Sequence, residues 1–202
     1  VRTPVQSRSE SSADRMLAAA LDLLAEGGLA AVTIAAVARR AGTSNGSLYH
    51  RFGDRTGLLV AAQARALARI EAATAASFAA ADAEPDDDRA VGLLARAALG
   101  IFATERAPLR TFLVEGRSDP RLGPPATAAT HRLGDTVSGW LVERFATTPE
   151  QAGAAWRVLF ALGASQALFD DGQVAARPLD GDVLGEALAR AVLAVVRDRP
   201  AG

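Results

Sequence analysis

The sequence predicts an all-α protein, and three observations carry that reading. Apolar residues recur at three- and four-residue spacing through nearly every segment, and no segment reads as a strand. Alanine is abundant and aromatics make up only 5% of the 202 residues, which favours close-packed helices over sheets. Glycine, serine, threonine and proline fall where helices would stop and start.

The elements follow in order. Residues 1–10, VRTPVQSRSE, have no periodicity and are expected to form a flexible arm. The first helix is expected over about Ser12 to Glu26, with Met16, Leu17, Ala20, Leu21 and Leu24 as its buried stripe and Gly27-Gly28 as its stop. Thr33 can cap a second helix whose inward positions are Ile34, Val37, Ala38 and Ala41. Gly42 sits where a helix end needs a left-handed residue, and Ser44 follows as a new cap. The third helix has only Leu48 and Phe52 as large apolar anchors, and Gly53-Asp54 repeats the stop-and-start signal. Two helices joined by a short glycine-containing turn make a helix-turn-helix.

The rest of the chain reads as longer helices. The fourth begins at Asp54 and runs to about Ala81, and 83–88 (AEPDDD) is a linker. The fifth spans about Asp88 to Thr104, and Pro108 opens a sixth that reaches about Arg117. SDPRLGPP is a loop, followed by a seventh helix over about Ala126 to Ala146. Thr148-Pro149-Glu150 starts an eighth that runs to Phe169. DDGQVAARPLDG is a loop, and the last helix covers about Asp182 to Arg197.

The third helix is too short to be stable alone, and Gly46 weakens it further. A short polar helix held by its neighbours suits insertion into the major groove of DNA. The spaced residues Thr33, Ile34, Val37, Ala38, Ala41, Gly42, Ser44, Gly46, Leu48, Tyr49, Phe52, Asp54, Arg55 and Leu58 resemble the DNA-binding signature of the TetR family of bacterial transcriptional regulators. The helix from Arg15 to Gly28 resembles that family's first helix. Arg55 stands where the family usually has lysine, and His50-Arg51 where an aromatic and then histidine is commoner.

The resemblance implies a three-helix N-terminal DNA-binding domain, here residues 11–57, joined to a larger helical domain for ligand binding and dimerisation, residues 58–202. Asn45, Gly46, Ser47 and Tyr49 would face base edges, with Asn45 able to pair bidentately with adenine. Thr33, Thr43, Ser44, His50 and Arg55 would hold phosphates and fix register. Tyr49 has a second reading, as a ring packed inside the motif. Arg2 and Arg8 would reach a minor groove, or belong to an idle tail.

Net charge is −1, but its distribution is uneven. Residues 1–60 hold seven arginines and five acids, net +2, and the remainder fifteen and eighteen, net −3. A basic head on an acidic body suits a small DNA-binding unit carried by a larger domain. Every basic residue is arginine.

The eighth helix is apolar around most of its circumference, and so is the last. Such helices must be buried on all sides. Pairing with a second copy as a four-helix bundle would do that, through Trp156, Leu159, Phe160, Gly163, Ala167, Leu188, Val192 and Val195. The alternative is that the pair lies in the core of a monomer. A two-fold dimer implies a near-palindromic operator. By the same resemblance the middle helices would enclose a small-molecule effector, with Phe78, Phe102, Phe112 and Trp140 as bulky lining residues. Each of these also reads as ordinary core. His131, Arg110 and Asp135 could orient a polar group, or simply face solvent.

The function expected is therefore a ligand-released DNA-binding regulator, by family habit a repressor. An enzyme on a helical scaffold is the contrasting class, but the chain offers only His50 and His131, no cysteine, no glycine-rich phosphate loop after a strand and no H-E-x-x-H. No catalytic residue, metal site or cofactor is expected. A non-specific architectural DNA binder would need a more basic body. The absence of a long apolar run or a leader pattern points to a cytoplasmic protein with no membrane partner.

Overall fold

The computed structural model describes residues 4–177 and 179–198, with side chains from Ser12 onward. The helices are α1 (Pro4–Ala31), α2 (Ile34–Ala41), α3 (Asn45–Phe52), α4 (Arg55–Ala83), α5 (Asp87–Thr104), α6 (Arg106–Arg110), a π-helical turn (Thr111–Glu115), α7 (Gly123–Phe145), α8 (Pro149–Leu168), α9 (Asp171–Val174) and α10 (Gly181–Arg197). The described residues include no strand, and the fold is all-α.

Two compact units form. The first takes Val1–Arg69 and Ala107–Ala126, the second Ile70–Arg106 and Thr127–Gly202. Residue 57, where the sequence suggests a boundary, lies inside α4. The expected arm overlaps the start of α1. Arg2 lies outside the described residues, as does the side chain of Arg8.

In the first unit, α1 bends at Gly27 and Gly28, whose backbone angles are not helical. Gly28 has φ +62°, and a Cβ there would meet the Glu115 carboxylate at 3.2 Å. The expected stop is thus a kink, with one further turn beyond it. The core joins Met16, Ala20, Leu24, Val32, Val37, Leu48, Leu58, Ala62, Phe112, Leu122 and Ala126. Helices α1 to α4 supply most of it, but Phe112 and Leu122 come from a segment far along the chain.

In the second unit, α10 packs on α5 and α8, and α5 packs on α8. Its core includes Val91, Ala95 and Leu99 of α5, Val137 and Leu141 of α7, Ala155 and Leu159 of α8, and Leu188, Val192 and Val196 of α10. Helix starts here are capped locally. The Asp86 carboxylate accepts from the Arg89 N–H at 2.8 Å. Thr148 and Gln151 form a capping box with Pro149 at the first helical position, as the sequence suggests.

Three local expectations change. Pro108 is the third residue of α6, not its opening. The sixth element also ends at Arg110 and passes into the π-helical turn, where Gly116 N–H donates to the Thr111 carbonyl at 2.7 Å. The loop after α8 contains the short helix α9, capped by Asp170 and Gln173.

Gly163 of α8 is buried, and a Cβ there would lie 2.4 Å from the Phe102 ring. Gly163→Ala is therefore expected to destabilise the second unit by about 1–3 kcal/mol through overpacking. Chemical denaturation would reveal this as a lower midpoint; an unchanged midpoint would mean that Phe102 moves aside freely.

Candidate nucleic-acid interface

The site is built on two turns. Thr33 has extended backbone angles and its Oγ1 accepts from the Ala36 N–H at 3.1 Å, which starts α2. Gly42 ends α2 with φ +63° and ψ +43°, a conformation that favours glycine. Thr43 N–H then donates to the Ala38 carbonyl at 2.9 Å. Ser44 Oγ accepts from the Ser47 N–H at 3.1 Å and caps α3. Gly53, with φ +78°, ends α3 while its N–H donates to the Tyr49 carbonyl at 2.9 Å.

These turns leave one face of α3 bare. Leu48 is fully buried and Phe52 half-buried. Asn45, Gly46, Ser47, Tyr49 and His50 are all exposed, and Tyr49 keeps 54% of its surface. The exposed Tyr49 ring excludes the packed-in reading. Ser47 Oγ lies 2.9 Å from Ser44 Oγ, so the two hydroxyls are already ordered. Thr33 and Ser44 are exposed beside this face and Thr43 is half-buried.

Helix α2 is tied to α1 by a two-pronged ion pair. Arg40 donates from its two terminal nitrogens to the two Glu26 oxygens, at 2.5 and 2.8 Å. That hydrogen bond, chiefly, holds the Glu26 carboxyl below its ordinary range and raises the Arg40 guanidinium.

Arg55 takes a part that the sequence did not suggest. Its Nε donates to the Val32 carbonyl at 2.6 Å and a terminal nitrogen donates to the Leu29 carbonyl. The guanidinium thus satisfies carbonyls at the end of α1 and sets where α4 begins. A phosphate contact by Arg55 would have to be made alongside these bonds or at their expense.

Asp54 caps α4. Its Oδ1 accepts from the Gly57 N–H at 2.5 Å, and Arg121 Nη1 donates to both carboxylate oxygens at 3.2 Å. The Gly57 hydrogen bond first, and Arg121 after it, hold this carboxyl below its ordinary range. Sequence reading missed Arg121 because it lies 67 residues away along the chain.

The residues suggested for an effector site fall in three places. Phe78 and Trp140 meet edge to face at 6.0 Å, and Trp140 Nε1 donates to Asp82 at 2.6 Å. Phe102 meets Phe160 at 5.9 Å, with Trp156 5.2 Å from Phe160. Phe112 is buried in the core of the first unit and does not join either group. His131, Arg110 and Asp135 are exposed.

The suggested dimer residues are also redistributed. Leu159, Gly163, Ala167, Leu188 and Val192 are buried within a single protomer, and Trp156, Phe160 and Val195 are half-buried. Helices α5 and α7 cover that side of α8 and α10, so Leu159, Leu188 and Val192 belong to the core of the second unit and Gly163 packs on Phe102. Beyond its first two residues, α8 leaves Ala154, Arg157, Val158 and Ala161 outside. On α10 the exposed residues are Gly181, Asp182, Val183, Glu186, Ala187, Arg190, Ala194 and Arg197.

The fold and this surface define a helix-turn-helix unit carried by an all-α body. Residues 16–62 match the family model described as bacterial regulatory proteins, tetR family. That match covers the helix-turn-helix and the helices flanking it. It is 42% identical over 71 residues to the HTH-type transcriptional regulator BetI of Burkholderia thailandensis, covering 35% of this chain and 36% of that protein. The chain thus matches little more than a third of that relative's own length. Among solved structures, a transcriptional regulator from Rhodococcus sp. Rha1 superposes with a TM-score of 0.74 at 22% identity, covering 93% of this chain and 99% of the other. A TetR-family transcriptional regulator from Streptomyces coelicolor gives 0.70 at 21% identity, with 93% and 95% covered. These likenesses are of fold. No helix among the described residues is long and apolar enough to cross a membrane.

Proposed function

We propose that this protein is a DNA-binding transcriptional regulator that acts as a homodimer on a near-palindromic operator and is released by a small-molecule effector. The observation that carries the reading is the bare face of α3. Asn45, Gly46, Ser47, Tyr49 and His50, which can hydrogen-bond or let a backbone approach closely, are exposed, while Leu48 beneath them is fully buried. Asn45, Gly46, Ser47 and Tyr49 face base edges, and Thr33, Thr43, Ser44 and His50 face phosphates. Arg55 serves this site by placing α4.

The dimer rests on the outward faces of α8 and α10. Ala154, Val158 and Ala161 recur at helical spacing, as do Val183, Ala187 and Ala194, and small side chains let two helix pairs approach closely. A two-fold dimer of this kind calls for half-sites about 34–36 Å apart or a multiple of that. Repression and effector release follow the habit of the family. Phe78, Phe102 and Trp140 remain the residues of the effector reading, and Phe112 leaves it because it belongs to the other unit's core.

Asn45→Ala is expected to cost about 1–3 kcal/mol at one base pair and to relax preference there. The measurement is a gel-shift titration over several salt concentrations, using duplexes that the protein enriches from a random-sequence pool. Equal binding of enriched and random duplexes by the unaltered protein would reject the regulator reading.

A further inference from the structure

We infer that Arg121 is a positioning residue of the DNA-binding site, masking the one acid at the exit of the recognition helix; this rests on the DNA-binding reading above. Asp54 is the single acidic residue between Thr33 and Leu58. It follows Gly53, which ends α3, and its side chain is 62% exposed. A carboxylate fixed there repels the phosphate backbone that α3 must approach. It cannot simply be dispensed with, since its Oδ1 holds the Gly57 N–H and starts α4.

Arg121 meets this carboxylate from a segment outside the helix-turn-helix. One terminal nitrogen lies 3.2 Å from each oxygen. The arginine is not a free surface cation swinging into place. Its own N–H donates to Asp119 Oδ1 at 2.7 Å, within a turn that Gly123 N–H closes on the Asp119 carbonyl at 2.9 Å. The next residue, Leu122, is 1% exposed, and its carbonyl accepts from the buried Gln63 side chain at 2.9 Å. Core packing and a buried hydrogen bond therefore fix the point from which the guanidinium reaches Asp54. An exposed ion pair of this kind contributes little to stability. Its effect is on charge at the DNA face, where a neutralised carboxylate spares the complex a repulsion that acts over about a Debye length, roughly 10 Å at 0.1 M salt.

The test uses the full chain and the duplex that it enriches from a random-sequence pool. Arg121→Gln is expected to weaken binding about fivefold at low salt, to approach the unaltered protein as salt rises, and to weaken enriched and random duplexes alike. Arg121→Lys should restore most of the affinity. Asp54→Asn placed in the Arg121→Gln background should bring binding back to within about twofold, because asparagine still caps a helix without the charge. Unchanged binding by Arg121→Gln would overturn the inference. So would a loss that Asp54→Asn fails to reverse, since that pattern belongs to a direct phosphate contact or a weakened fold. If the unaltered protein enriches no duplex, the DNA-binding reading itself fails, which is a different result.

Discussion

Leu48→Ala is expected to lower unfolding stability by about 3 kcal/mol and to abolish specific DNA binding, although Leu48 touches nothing outside the protein. The side chain is 0% exposed and is the only fully buried anchor of an eight-residue helix. Truncating a buried leucine usually costs about 2–5 kcal/mol, from lost transfer energy and the cavity left behind. A helix of that length has no stability of its own to absorb the loss. Phe52, half-buried at the other end, would hold α3 at one point, and the helix would then fray from its N-terminus, where Asn45 and Ser47 must be placed. Thermal or urea denaturation followed by circular dichroism checks the first part, and a gel shift the second. Tyr49→Ala is the control: with 54% of the residue exposed, its stability effect should stay within about 0.5 kcal/mol while binding falls. A Leu48→Ala protein as stable as the parent would mean that α3 is held by something other than this core.

The second large effect is on assembly. Ala161→Glu is expected to turn a dimer into a monomer, read by sedimentation as a fall from about twice the 20.8 kDa chain mass to that mass itself. Residue 161 is exposed on α8, on the same face as Ala154 and Val158. In a two-fold interface each substitution meets the same patch of the other copy, so two like charges are brought together among close-packed small side chains. Specific DNA affinity should fall with it, since a lone head spans one half-site. Thr136→Glu, exposed on α7, should leave the dimer intact. Dimers that survive Ala161→Glu would move the interface away from α8.

The helix-turn-helix was legible because its signals are local. Thr33, Gly42, Ser44 and Gly53 each act within four residues along the chain, and each does in the structure what its residue type suggests. The parts that were not legible depend on distant partners. Arg55 reads as a phosphate ligand until the carbonyls of Leu29 and Val32 come within its reach. Helix α8 is apolar nearly all round, so periodicity alone cannot tell the side covered by α5 and α7 from the side left exposed. The π-helical turn leaves no trace in composition. Nor does any local signal tell that Phe112 and Leu122 join the core of the first unit, because their partners there lie at least 40 positions earlier.

That last feature bears on how the molecule is made and remade. The head is discontinuous in the chain: it is left unfinished at Arg69 and completed only by Ala107–Ala126. On the ribosome, the core of this unit cannot be completed until the intervening stretch has been synthesised. An engineer joining this head to a different sensor cannot cut at the last residue of the motif. The transplanted piece must bring its late-arriving segment along, or it will carry the reading surface on an incomplete core.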